Sequence, residues 1–327
     1  MLRKVYTAEK WLKVNRRNKE LLEDFVLEMK SNKKSPETIK QYAADLKMIL
    51  VYIHDELDNK DILQLNKKDF RRIKMWFLDE REVSSARCCR VMSALHSMLD
   101  FAEDDDDYDY EYNKSKKVKG VPKKAEREII FLTDEQISKI RKHLIEKKKY
   151  KLLALTDIYY DSAGRRKEVL QIKKRDLLNR NYTNIVEGKG GKQFPLLYFS
   201  RSKESLKLYL DTRTDDYDSL WVCYEGQERV RPARYSSLYE WTMTLRKILS
   251  EIEGKEIKIT PHSFRHSAIE NMKRGTHYIC KELKREKGFS LEELKVYAHH
   301  EDTGTTESYL KNDEANVLSN MFSIKLD

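Results

Sequence analysis

Residues 103–124 read EDDDDYDYEYNKSKKVKGVPKK, and this stretch divides the chain. An acidic run over 103–113 gives way to a basic run over 114–124 that contains Gly120 and Pro122. Opposed charge blocks ending in turn residues mark a linker. The acidic half reads as a solvated tether. The basic half offers Lys114, Lys116, Lys117, Lys119, Lys123 and Lys124, which suit a phosphate backbone. The organisation predicted from this break is a helical unit over 1–103, a charged linker over 104–128 and a second unit over 129–327.

On the N-terminal side the pattern is helical throughout. Ser35 is a suitable N-cap with Pro36 at the first helical position, and Ile39, Tyr42, Leu46, Ile49, Leu50 and Ile53 then form one apolar face. Leu21, Leu22, Phe25, Val26 and Met29 form another before it. A further helix is predicted from about Asn66 to Leu78, with Asp69 at its positive end, and one from Ser84 that buries Val91, Leu95, Met98, Leu99 and Phe101. Four helices in so short a span make a bundle.

On the C-terminal side, Thr133 and Gln136 form a capping-box pattern. Helical spacing continues through Leu144 and again over Leu152–Tyr160. Asn184–Val186 and Phe194–Phe199 flank GKGGK at 188–192 and predict a hairpin around a glycine turn. Helices are expected from there on. The fold class is thus mainly α with a small β-sheet (α+β).

Composition narrows the function. Gly (10) and Pro (5) are too few among 327 residues for a turn-rich β-sandwich. Lys and Arg (65) exceed Asp and Glu (55), a net charge of +10 that fits a polyanionic partner, nucleic acid first, and a merely charged soluble surface about equally well. The chain contains no run of roughly 18 apolar residues, and its start lacks the apolar core of a secretory signal. Cys88, Cys89, Cys223 and Cys280 fit neither a disulfide framework nor a zinc site, so a reduced cytoplasmic protein is expected.

Four short motifs carry the chemistry. DSAGRRKEVLQIKKRDL, 161–177, puts Arg165 at the start of an amphipathic helix, a position that becomes reasonable beside an anion. Lys189 lies on the glycine turn, whose tip is free to approach another backbone. ITPHSFRHSAIENM, 259–272, opens a helix at Thr260–Pro261 and sets His262 and Arg265 three residues apart in or beside its first turn, where free N–H groups favour phosphate. His266 falls on the neighbouring face and reads as a packing residue or as a support for the site residues. YAHHEDTGTTESYLKNDE, 297–314, contains His300 and, nine residues on, Tyr309.

Taken together, these motifs resemble the tyrosine recombinase (phage integrase) family, whose catalytic domain shows Arg, Lys, His-x-x-Arg, His or Trp, and Tyr in this order. SAGRRKEVLQI is similar to the family's Thr-Gly-Leu-Arg-x-x-Glu-Leu-x-x-Leu segment and assigns Arg165; choosing Arg166 would put Glu168 out of register. GKGGK matches the Gly-Lys-Gly-x-Lys turn and assigns Lys189. PHSFRH matches the His-x-Leu-Arg-His box and assigns His262 and Arg265. In the last box the spacing of nine selects His300 over His299 and assigns Tyr309 as nucleophile. SPETIKQYAADL and SSARCCRVMSALHSMLDFA resemble the family's core-binding domain. Two departures stand out: Gly164 where Leu or Met is usual, and Ala298-His299 where Leu-Gly is usual.

The resemblance implies a SAM-like core-binding bundle joined to a catalytic domain, closing as a C-shaped clamp on double-stranded DNA, with a dimer per site and a homotetramer in synapsis. It implies DNA breakage and rejoining through a 3′-phosphotyrosine intermediate without a cofactor or metal. Tyr309 attacks, Arg165 and Arg265 bind the non-bridging oxygens, Lys189 protonates the leaving oxygen, His262 assists proton transfer and His300 positions the phosphate. Two further readings remain open on sequence alone. One is a non-catalytic, sequence-specific DNA-binding regulator on the same scaffold, and the other is a type IB topoisomerase sharing the chemistry.

Overall fold

The structure, a computed structural model, describes residues 5–122, 129–225 and 229–299. It divides into two compact units, Met1–Arg127 and Glu128–Asp327. No helix among the described residues is long and apolar enough to cross a membrane, and all four cysteines are free thiols.

The first unit contains α1 (Ala8–Lys13), α2 (Arg16–Ser31), α3 (Pro36–Glu56), α4 (Lys67–Met75) and α5 (Ser85–Asp104). Their starts follow local chemistry. The Ser35 side chain accepts the Thr38 N–H at 3.2 Å, and Asn66 and Asp69 cap α4 reciprocally. The apolar faces of α2, α3 and α5 meet in one core, with Leu21, Leu46, Ile49, Leu50, Val91, Leu95 and Leu99 all buried. Each such side chain contributes roughly 2 kcal/mol on burial. Charge lies inside this unit as well. Asp45 of α3 is fully buried and pairs with Arg87 of α5, whose Nη1 donates at 2.7 Å, so α3 and α5 are held in one register.

The charged stretch is less solvated than its composition suggests. Asn113 and Ser115 are fully buried, and Tyr110 and Val118 nearly so, against α5 and its neighbours. Asn113 Nδ2 donates to the His96 carbonyl at 3.1 Å and to Asp100 Oδ1 at 2.8 Å. The segment docks because Tyr110, Asn113 and Val118 are spaced among the charges and find both apolar and hydrogen-bonding partners. That signal is too sparse to stand out from composition.

The second unit contains α6 (Asp134–Glu146), α7 (Tyr150–Ser162), α8 (Arg166–Leu170), the strands β1 (Tyr182–Glu187) and β2 (Gln193–Leu197), then α9 (Ser200–Leu210), β3 (Val222–Glu225) and β4 (Arg229–Pro232), and finally α10 (Tyr235–Glu253), α11 (Pro261–Arg274), α12 (Tyr278–Glu282) and α13 (Leu291–Tyr297). β1 and β2 are antiparallel, with Val186 opposite Phe194 and Glu187 opposite Gln193. The expected amphipathic helix after Arg165 is short, ending at Leu170. A second hairpin, β3–β4, interrupts the expected run of helices. Its strands are only four residues each, too short for a clear alternation.

α7 is the central helix, packed by α6, α9 and α11, and every residue from Leu153 to Ser162 is buried. Burial on all sides brings carboxylates inside. Asp161 Oδ2 accepts the Phe199 N–H at 3.0 Å, the Ser202 N–H at 3.3 Å and the Ser202 hydroxyl at 2.6 Å, and Tyr278 Oη donates to Oδ1 at 2.8 Å. Phe199 caps α9 without a side-chain hydrogen bond of its own, so Asp161 serves as a cap delivered from another helix. Asp161→Ala strands those donors in the core. Urea unfolding of the variant is expected to show a loss of about 3 kcal/mol.

His277 is fully buried between the rings of Tyr160 and Tyr278, with centroids 4.2 and 4.9 Å away, and its Nδ1 accepts the Ile279 N–H at 3.2 Å. Burial, with a smaller contribution from Arg201, pushes its pKa down to about 3, against Asp134 and the Tyr160 backbone. Between the unfolded value of about 6.5 and this value the unfolded chain binds the extra proton. Its contribution to stability is therefore complete above pH 6.5 and is lost as pH falls toward 3. His277→Asn keeps a cap acceptor and removes the titration. Chemical denaturation at several pH values is expected to show a shallower acid slope in the variant, by at most about 1.4 kcal/mol per pH unit.

Candidate active site

The site is assembled where α7 ends, where α11 begins and where α13 ends. After α7 the chain turns at Ala163, in the left-handed region with φ 48°. Gly164 follows because there is no room for more. A Cβ there would lie 2.9 Å from Val169 Cγ2 and 3.1 Å from Leu196 Cδ1. Arg165 is the N-cap residue of α8. Its backbone N–H donates to Glu168 Oε2 at 2.8 Å and its Nη1 to Glu168 Oε1 at 2.9 Å. Glu168 is buried, so an internal anion fixes the arginine at this helix start. Arg166 turns to α10, its guanidinium 3.6 Å from the Tyr235 ring centroid.

α11 begins at Pro261 after the cap residue Thr260, whose N–H donates to Ser263 Oγ at 3.1 Å. Arg265 is buried, with 1% of its surface exposed. Its Nη1 donates to the Ala163 carbonyl and its Nη2 to the Ala298 carbonyl at 2.6 Å. One guanidinium thus ties the turn before Arg165 to the end of α13. His262 reaches the solvent-accessible rim. Desolvation by the surrounding protein, then the cations Arg265, Arg165 and Arg166, hold its pKa below the usual histidine value, against the pull of Glu168. A neutral imidazole beside clustered arginines is suited to accept or relay a proton.

Arg165, His262 and Arg265 therefore share one electrostatic neighbourhood. Lys189 stands exposed on the turn between β1 and β2, where Gly190 and Gly191 take φ of 75° and 77°. His300 and Tyr309 lie outside the described residues. His266 is half-buried, edge-on to Phe131 at 5.9 Å. His299, which the spacing of nine to Tyr309 leaves out, lies in this neighbourhood, within the influence of Arg265 and Arg165. Its ring stacks on Phe194 with centroids 3.7 Å apart and planes 17° apart.

The first unit carries a separate basic surface. Lys67, Arg71 and Lys74 of α4 line a recess with Lys117 and Lys119. The α4 cations were not among the sequence candidates, although their spacing of four and three residues places them on one helix face. Lys114 is exposed. Lys116 is committed to Asp100 and Glu103, at 2.6 and 3.0 Å, and Lys117 lies over the Tyr112 ring. Lys123 and Lys124 lie outside the described residues.

Comparison with known families bears on both units. The family model described as the Phage integrase family matches residues 130–316, and that of the Phage integrase N-terminal SAM-like domain matches residues 22–105. The chain belongs to the phage integrase family. It is 26% identical over 316 residues to the SPbeta prophage-derived recombinase-like protein YomM of Bacillus subtilis (strain 168), covering 92% of this chain and 89% of that protein. It is 28% identical over 181 residues to tyrosine recombinase XerA of Thermococcus onnurineus (strain NA1), covering 55% of this chain and 57% of the relative. A lambda integrase tetramer bound to a Holliday junction has the same fold, with TM-score 0.66 and 15% identity over 95% of this chain and 82% of the other. So does the Tn1549 transposon integrase in complex with transposon right end DNA, with TM-score 0.63 and 11% identity over 93% and 99%. Within this family fold, the mainly helical chain with two small hairpins pairs a SAM-like bundle with a catalytic-type domain.

Proposed function

We propose that the chain is a site-specific DNA recombinase that breaks and rejoins double-stranded DNA through a 3′-phosphotyrosine intermediate. The observation that carries this reading is Arg265, buried between the carbonyls of Ala163 and Ala298 and sharing an electrostatic neighbourhood with Arg165 and His262. In this reading a phosphodiester docks beside these cations and its non-bridging oxygens face the two guanidinium groups. Planar, multidentate donors stabilise the charge that builds on those oxygens in the transition state. Tyr309 forms the new O–P bond, the P–O5′ bond breaks, and Lys189 gives its proton to the departing oxygen. His262 and His300 assist proton transfer and phosphate positioning. The phosphotyrosine bond keeps the energy of the phosphodiester, so rejoining needs no nucleotide.

The basic recess beside α4 and the lysines after Asn113 supply sequence-independent contacts to the DNA backbone. Several copies act together on DNA, a reading supported by the lambda integrase relatives, which are described as a dimer on a core site and a tetramer on a Holliday junction. The deciding experiment is a nicked suicide duplex carrying the sequence that the full chain selects from a random pool. A covalent protein–DNA adduct on a denaturing gel is expected. Tight, sequence-specific binding with no adduct overturns the reading in favour of a regulator on the same scaffold.

A further inference from the structure

His299 adopts φ 53°, a left-handed conformation that costs a residue with a Cβ about 1 kcal/mol or more and a glycine almost nothing. What this side chain gains in return is a ring contact. Its ring lies flat on Phe194 of β2, itself buried opposite Val186 of β1. Phe194 in turn covers Gly188, where a Cβ would lie 2.6 Å from the ring, and the Gly188 N–H closes the turn on the Lys192 carbonyl at 2.8 Å. Lys189 is the next residue. On its other side, His299 follows Ala298, whose carbonyl Arg265 grips at 2.6 Å. The ring contact thus joins the hairpin bearing Lys189 to the segment anchored by Arg265.

We propose that His299 is a positioning residue whose ring, stacked on Phe194, holds the β1–β2 hairpin and its Lys189 in register with Arg165 and Arg265, so that Lys189 meets the leaving oxygen. This role rests on the strand-transfer reading above. The charge state suits it. Burial, then Arg265 and Arg165, hold His299 below the usual histidine pKa, against Glu168 and the Pro195 backbone. A neutral ring stacks without placing a third cation beside the arginines.

The test separates the proton donor from everything else. A 5′-alkoxide leaves only with a proton, whereas a 5′-thiolate leaves without one. The full chain is given two nicked suicide duplexes of the selected sequence, one with oxygen and one with sulfur at the bridging 5′ position. His299→Asn tolerates the left-handed turn and removes the stack. His299→Phe keeps a flat ring. His299→Asn is expected to slow single-turnover cleavage about 10-fold or more with oxygen and to match the parent chain with sulfur, while His299→Phe stays near the parent on both. Unchanged cleavage of the oxygen duplex by His299→Asn overturns the role. Equal slowing on both duplexes, or a Phe variant no better than Asn, also overturns it. A parent chain that forms no adduct with either duplex overturns the strand-transfer reading itself, and this role with it.

Discussion

Tyr309→Phe is expected to eliminate the covalent adduct on a suicide duplex, by more than about 10⁴-fold, while DNA affinity stays within a few-fold of the parent chain. The substitution removes one oxygen, the atom that forms the bond to phosphorus. Affinity is set elsewhere, by cations along the backbone, so the filter-binding constant and its salt slope are unchanged. Tyr309 is one of 19 tyrosines, and only its place nine residues after His300 singles it out. The comparison is therefore made against Tyr297→Phe, a change at the other tyrosine near that histidine. Adduct retained in Tyr309→Phe, or lost only in Tyr297→Phe, transfers the nucleophile elsewhere.

Arg265→Lys is expected to lower single-turnover cleavage about 10²–10³-fold and to cost about 2 kcal/mol of stability. Both effects come from the same geometry. The guanidinium spans two carbonyls, Ala163 and Ala298, from one planar fork. An ammonium on a flexible stem is a point charge that cannot reproduce this fork. One carbonyl is left without its donor in the core, and the turns bearing Arg165 and His299 lose their common tether. Urea unfolding measures the first effect and cleavage of the suicide duplex the second. A variant that loses stability but cleaves at the parent rate would confine Arg265 to a structural tie.

Much of the local structure could be read directly. Ser35, Asn66 and Thr133 mark helix starts through hydrogen bonds that close within three residues, and Thr133 and Gln136 exchange theirs as their spacing predicts. The hairpin around GKGGK is likewise local, since alternation and glycines specify it within sixteen residues. The β3–β4 hairpin was not legible, because four-residue strands carry too little pattern. Nor was the docking of residues 110–118, where three well-placed side chains outweigh a run of charges. The candidate site could be named from the sequence only as residue types in the order of a family's motifs, and the supports of its described residues could not be named at all. Asp161 capping α9, Glu168 holding Arg165 from within the core and His299 taking a ring contact have no signature at short range.

The amino-acid order by itself determined the two cores and the helix starts, and through its resemblance to the family's motifs it nominated Arg165, Lys189, His262, Arg265, His300 and Tyr309. The cores and helix starts depend on spacing within turns of three or four residues or on the pitch of a helix, whereas the nominated residues rest on the resemblance. Tertiary structure alone decided which groups hold Arg165 and Arg265. Arg265 meets carbonyls 102 and 33 residues away, and which carbonyls they are follows from how α7, α11 and α13 pack. The physical reason is that burying a guanidinium demands hydrogen-bond partners, and only the folded core can bring them from so far along the chain.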